Sequence, residues 1–245
     1  MTQVYRLWPD PDPTPLDDAA LTALYEPAGP GLRINFVTSV DGAVEVEGLS
    51  KGLQNPADNR VFTLLRQFPD ALLVGAGTLR QEGYGPVRLD GSRRAWRTGR
   101  GLDPYPRLVV ASRRLDLDPT HLALAEAPVR PVILTCAAAP PDLRRSLATV
   151  ADVLVYGDDE VDLGAAVAGL QARGMARILS EGGPHLMGSL TAADLVDEVC
   201  LTVSPLLAGP GAGRITAGPP SELRDLTIAH ILYAEDAMLL RYVRK

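Results

Sequence analysis

Glu181-Gly182-Gly183-Pro184 interrupts an apolar run, Ile178-Leu179-Ser180, and precedes a helical pattern. Two adjacent glycines carry an entropic cost and give close backbone approach in return. Successive free N–H groups there would form an anion nest, and a helix opening at Pro184 would add its positive dipole end. A pyrophosphate is the natural guest. Val74-Gly75-Ala76-Gly77-Thr78 follows another apolar run and offers a hydroxyl for capping or for a phosphate. Ala111-Ser112 is a weaker third segment of this kind. Neither the GxGxxG fingerprint nor a P-loop lysine is present. Asp41-Gly42, after Ser39-Val40, has the composition of a turn. Eight arginines against two acids lie between Arg88 and Arg114. Their middle, residues 90–106, shows no periodicity and reads as a long loop: a solvated segment, or an arginine-rich flap near a phosphorylated ligand.

These residues need a frame. Apolar β-rich runs begin at Leu32, Ala71, Arg107, Pro131, Asp152 and Ala176. Several are continuous, the pattern of strands covered on both faces. Between them lie helical patterns. Asn55-Pro56 supplies a cap and a first-turn proline, and Val61, Leu64, Leu65 and Phe68 recur at helical spacing. Leu163–Arg173 and Pro184–Ala193 read as further helices. The alternation implies an α/β fold with a mostly parallel sheet and helices on both faces. Asp197–Ser204, Leu226–Tyr233 and Met238–Val243 follow without long helices, and the last two read as a C-terminal antiparallel hairpin. Residues 1–30 are expected to be an N-terminal arm with a short helix, the proline-rich stretch Pro9–Pro15 extended and poorly packed. Residues 31–245 are expected to be one domain.

The 245 residues carry a net charge of −6, which disfavours a general nucleic-acid binder. No apolar run approaches a membrane span and the N-terminus lacks signal-peptide features, so a cytoplasmic protein is expected. Cys136 and Cys200 read as buried, reduced thiols. No metal site is expected.

The order S-V-D-G, G-x-G-T, E-G-G-P, L-V-D-E and S-P-L-L-A-G, spread from about Arg33 to Arg244, resembles the reductase domain of riboflavin-pathway enzymes. That domain is the C-terminal half of the bifunctional deaminase–reductase and has a dihydrofolate-reductase-like fold. The resemblance implies NADPH-dependent reduction of 5-amino-6-(5-phosphoribosylamino)uracil to its ribitylamino form, and a homodimer. By position, Gly52, Thr78, Glu82 and Ser112 should line the cofactor site, with Gly183, Pro184, His185, Leu186, Met187, Gly188 and Ser189 at its diphosphate. Ser50, Arg66, Arg88 and Glu181 should face the substrate, the arginines on its phosphate and Glu181 on pyrimidine N–H groups. Glu82 is the candidate proton donor. The chain departs from the family pattern at Asn35, where many members have lysine, at Gln54, where many have threonine, and at Glu82, where many have aspartate. A dihydrofolate or pterin reductase, or a catalytically silent NADP-binding regulator, would share the fold. The zinc-deaminase pattern H-x-E with P-C-x-x-C does not occur, so deamination is expected on a separate polypeptide.

Overall fold

The computed structural model describes residues 2–245. In chain order the elements begin with β1 (Tyr5–Trp8), α1 (Asp18–Tyr25) and β2 (Gly31–Thr38). A 3-10 turn, Ser50–Leu53, leads to α2 (Pro56–Leu65), β3 (Ala71–Gly75), α3 (Ala76–Gln81) and α4 (Gly91–Thr98). Then come β4 (Arg107–Ala111), α5 (Leu122–Ala125), β5 (Val132–Thr135), α6 (Pro141–Leu147) and β6 (Asp152–Val155). The chain closes with α7 (Leu163–Gln171), β7 (Arg177–Ser180), α8 (Pro184–Ala192), β8 (Glu198–Val203), β9 (Leu226–Ala234) and β10 (Ala237–Arg244).

All ten strands form one sheet, in the order β1-β9-β10-β8-β2-β7-β3-β4-β5-β6. From β8 to β6 the pairing is parallel. β9 and β10 form the antiparallel hairpin, and β10 joins it to β8. Alternate residues of each buried strand enter opposite cores. Leu72 and Val74 of β3 pack with α1, α2 and α5 on one face, whereas Ala71 and Leu73 pack with α7 and α8 on the other. This double coverage explains why the central strands read as continuous apolar runs. Cys136 and Cys200 are both free and buried.

Two segments differ from their sequence reading. Residues 91–98 are helical, not loop: Asp90 accepts from the Arg93 N–H at 2.9 Å as an N-cap. The helix hides its period because its inward anchor is a guanidinium. Arg97, 1% exposed, donates to the carbonyls of Asp103, Gln67 and Pro69 at 2.6–2.9 Å. Other arginines of the cluster are spent on local partners: Arg100 stacks 4.0 Å from the Trp96 ring centroid, and Arg107 pairs with Asp152. The segment is a packed brace rather than a phosphate flap. The N-terminal arm is also better packed than its prolines suggest. β1 pairs antiparallel with β9, and the proline-rich stretch folds back through Asp12 N–H to Arg6 C=O and Leu16 N–H to Val4 C=O.

Candidate active site

Strand β7 enters between β2 and β3, so the direction of the crossovers reverses there. Such a switch point opens a crevice at the strands' carboxyl ends. The Glu181–Pro184 loop sits in it. Gly182 has φ +88°, and a Cβ there would lie 2.8 Å from Cζ of Phe36. A Cβ on Gly183 would lie 2.8 Å from Oγ1 of Thr78. The Gly75 N–H donates to the Gly182 carbonyl at 2.7 Å. The two glycines are therefore required first by the protein's own packing: the loop is wedged between β2 and α3. The Gly182–Gly183 peptide is cis.

Two clefts meet at this wedge. Thr78, Gln81, Gly183 and Pro184 line both. One cleft runs along the N-terminal ends of α3 and α8. Gly75, Gly77, Ser112, Arg113, Arg114, His185, Leu186 and Ser189 line it. Its composition fits a dinucleotide: a glycine-rich floor, a serine, nearby guanidinium groups and the first-turn N–H groups of α8. Of the residues assigned to a cofactor by sequence, it gathers Thr78, Ser112, Gly183, Pro184, His185, Leu186 and Ser189. Met187 faces the core on the α7–α8 side, and Gly188 faces Ala217, whose carbonyl oxygen would lie 2.1 Å from a Cβ there. Gly52 lies elsewhere, its missing Cβ filled by Val46.

The second cleft is lined by Asn35, Ser50, Gln54, Asp58, Phe62, Arg66, Glu82, Tyr84 and Glu181, among others. Arg66 grips Glu181 with two parallel bonds of 2.7 Å, and the Tyr84 hydroxyl donates to the same carboxylate. Phe62 stacks 4.2 Å beneath the guanidinium. Burial would lower the Arg66 pKa, but the adjacent Glu181 charge and its hydrogen bonds outweigh this and hold it above its ordinary value. Sequence reading gave Arg66 to a phosphate and Glu181 to a pyrimidine; here each is the other's partner. Glu82 lines this cleft rather than the dinucleotide cleft. Its two oxygens accept from the Ser50 N–H and hydroxyl, each at 3.0 Å. Arg88 lies outside both clefts, exposed, and donates to the Glu126 carbonyl at 3.2 Å.

Several residues of this cleft escaped the sequence reading, Tyr84 and Asp58 among them. Tyr84 stands between Gly83 and Gly85, where an aromatic in a glycine turn is the available signal. Asp58 is 4% exposed. It lies three residues before Val61, on the apolar stripe of α2, where a carboxylate is out of place. Burial lifts its carboxyl to about 6 against the lowering effect of the Thr202 hydroxyl.

The remaining motifs close the clefts. Asp41 accepts from Ser39, Ala208 and Gly209, which holds its pKa down at about 2. The S-V-D-G loop is thereby tied to the S-P-L-L-A-G loop, with the Val40 N–H donating to the Leu206 carbonyl. Among the described residues no group of three or more His, Cys, Asp or Glu side chains is placed to hold a metal, and no helix is long and apolar enough to cross a membrane.

A mostly parallel sheet with two adjoining clefts at its switch point is an architecture that α/β oxidoreductases share with other α/β proteins. The chain belongs to the RibD C-terminal domain family, whose model matches residues 30–239. It is 29% identical over 181 residues to the 2,5-diamino-6-ribosylamino-4(3H)-pyrimidinone 5′-phosphate reductase of Archaeoglobus fulgidus, covering 74% of this chain and 82% of that one. The enzyme of the same name from Methanothermobacter thermautotrophicus is also 29% identical, over 180 residues, with 74% and 80% covered. A pyrimidine reductase-like protein from Corynebacterium diphtheriae superposes with a TM-score of 0.82 at 25% identity, covering 88% of this chain and 92% of that one. The riboflavin biosynthesis reductase of Saccharomyces cerevisiae shares the fold, with a TM-score of 0.68 at 14% identity and 94% and 100% covered.

Proposed function

We propose that this chain reduces a 5-amino-6-(phosphoribosylamino)pyrimidine to its ribitylamino form with NADPH, as a step of riboflavin formation. The observation that carries the reading is the shared wall. Thr78, Gln81, Gly183 and Pro184 line both clefts, so ligands in the two would meet across it. The relatives' names supply the substrate class.

The dinucleotide cleft would hold NADPH with its diphosphate at the N-terminus of α8, the end of a helix that favours an anion. Arg114, beside Ser112, supports the 2′-phosphate form over NADH, whereas Arg113 is paired with Glu160. When bound, the nicotinamide supplies a hydride to C1′ of the opened ribosylamino group. The protein's own contribution is alignment. The Arg66–Glu181–Tyr84 cluster stiffens one side of the substrate cleft. Glu82 fixes the Ser50 turn on another, and we now assign it that positioning role. Steady-state kinetics on Glu82→Gln test this: a raised KM with kcat within about threefold is expected, and a collapse of kcat would return Glu82 to the role of acid.

A specific observation favours a second reading. Four acids, Glu45, Asp58, Glu82 and Glu181, line the substrate cleft against one guanidinium, Arg66, which is already paired. That balance suits an unphosphorylated heterocycle such as a pterin better than a phosphate dianion. NADPH oxidation followed side by side with the phosphoribosylamino-pyrimidine and with dihydrofolate decides between them. Faster turnover of dihydrofolate would overturn the first reading. NADPH binding with turnover of neither would leave a silent regulator.

We also propose a homodimer formed through the hairpin sheet. Leu226, Ile228, Tyr233 and Met238 are each more than a third exposed on β9 and β10. Sedimentation equilibrium checks it, with a mass near twice 26.1 kDa expected.

A further inference from the structure

The relatives are named for a 2-amino-pyrimidinone, whereas the sequence resemblance pointed to a uracil. The two differ at the ring edge remote from the ribosyl group. The 2-amino-pyrimidinone presents two adjacent donors, the N3–H and the 2-amino group. The uracil presents the N3–H flanked by carbonyl oxygens. A carboxylate matches the first edge with two parallel bonds and meets repulsion at the second.

The cleft contains one carboxylate suited to this task. Glu181 is occupied by Arg66 and Tyr84, and Glu82 by Ser50. Glu45 is only half-buried on the loop at the mouth. Asp58 is 4% exposed and lines the cleft. The Thr202 hydroxyl beside it favours its charged form, and a carboxylate has acceptor capacity beyond that one group. Its place in the fold is also right. Thr202 belongs to β8 and Thr78 follows β3, with β2 and β7 between them. Three strand spacings put about 14 Å across the cleft. A ring against Asp58 would therefore direct its ribosyl group toward the wall shared with the dinucleotide. Asn35, on β2 between them, is 8% exposed and lines the same floor.

We propose that Asp58 is the specificity-determining residue of the substrate cleft, selecting a 2-aminopyrimidin-4-one edge over a pyrimidine-2,4-dione edge. This rests on the reductase reading above. It places the reduction before the hydrolytic deamination at C2, so the enzyme that consumes this product is a deaminase acting on a ribitylamino compound. A buried carboxylate left facing a carbonyl oxygen has neither partner nor water, which makes rejection of the dione strong.

The test is kcat/KM with NADPH for 2,5-diamino-6-ribosylamino-4(3H)-pyrimidinone 5′-phosphate and for its 2-oxo counterpart. The unaltered enzyme, Asp58→Asn and Asp58→Ala are compared, with folding checked by thermal unfolding. The unaltered enzyme should prefer the 2-amino compound by at least about a hundredfold. Asp58→Asn should shift that ratio toward the dione, because a carboxamide offers one acceptor and one donor, matching C2=O and N3–H. Asp58→Ala should bring the ratio near unity. A general structural defect would lower both rates and leave their ratio in place. Equal kcat/KM for the two substrates, or a ratio unmoved in both folded variants, overturns the role of Asp58 and leaves the reductase reading standing. Turnover of neither compound by the unaltered enzyme overturns the reductase reading and this selection with it.

Discussion

Asp58 holds its proton more tightly in the folded chain than in the unfolded one. Its carboxyl lies near 6 rather than 3.8, chiefly because burial disfavours the charge. The folded state therefore binds the extra proton, and stability falls as pH rises from about 4 through 6. The loss at neutral pH is roughly 3 kcal/mol from this group. Asp58→Asn should remove much of that loss. Its melting temperature should exceed that of the unaltered chain at pH 8, with the advantage shrinking toward pH 4. Differential scanning calorimetry at the two pH values checks it. A variant less stable at pH 8 would show that the carboxylate is better paired than its surroundings indicate. At the wedge, Gly182→Ala should cost roughly 2 kcal/mol, since φ +88° is strained for a side chain and the Phe36 ring must move. Gly183→Val should act differently. Its side chain would push the Thr78 hydroxyl toward the clefts, and NADPH affinity should fall at least tenfold in a folded protein, by calorimetric titration. Unchanged affinity would move the diphosphate away from this loop.

At the scale of elements, α4 depends on one side chain. Arg97 satisfies three carbonyls from three segments, and its buried guanidinium is pushed down to about 10 by desolvation. Arg97→Met would strand those acceptors and should cost roughly 3 kcal/mol or more, read as a lower denaturation midpoint, with kcat unchanged. An unaltered midpoint would mean that water replaces the guanidinium. The same helix shows the limit of sequence reading. The central strands were legible because burial on both faces demands continuous apolar runs. The start of α2 was legible from Asn55 and Pro56, and the Asn55 side chain does accept from the Asp58 N–H at 2.9 Å. α4 was not, because its contact with the core runs through a cation that periodicity counts as polar. β1 was missed because its four residues gain their structure from β9, more than 200 residues away. In the site, Glu181 was singled out as unusual for a strand end. Its pairing with Arg66 depends on the return of β7 beside β3, which the local sequence does not encode.

The whole molecule places its two clefts at one edge of a ten-stranded sheet, the carboxyl ends of its central strands, with four residues common to both. A shared wall has a thermodynamic consequence. A ligand that fixes the Thr78 hydroxyl from one cleft removes freedom that a ligand in the other would otherwise have to remove. The affinities are then linked, and linkage is reciprocal: whatever factor NADP⁺ applies to the pyrimidine, the pyrimidine applies to NADP⁺. With oxidised cofactor, which cannot react, both titrations can be carried out at equilibrium. We expect each ligand to tighten the other several-fold, by equal factors, and Thr78→Ala to reduce that factor in both directions. Equal affinities with and without the second ligand would show the wall to be inert. Such coupling would favour formation of the ternary complex over either half-filled state, so the enzyme would spend little time holding a reductant with nothing to reduce.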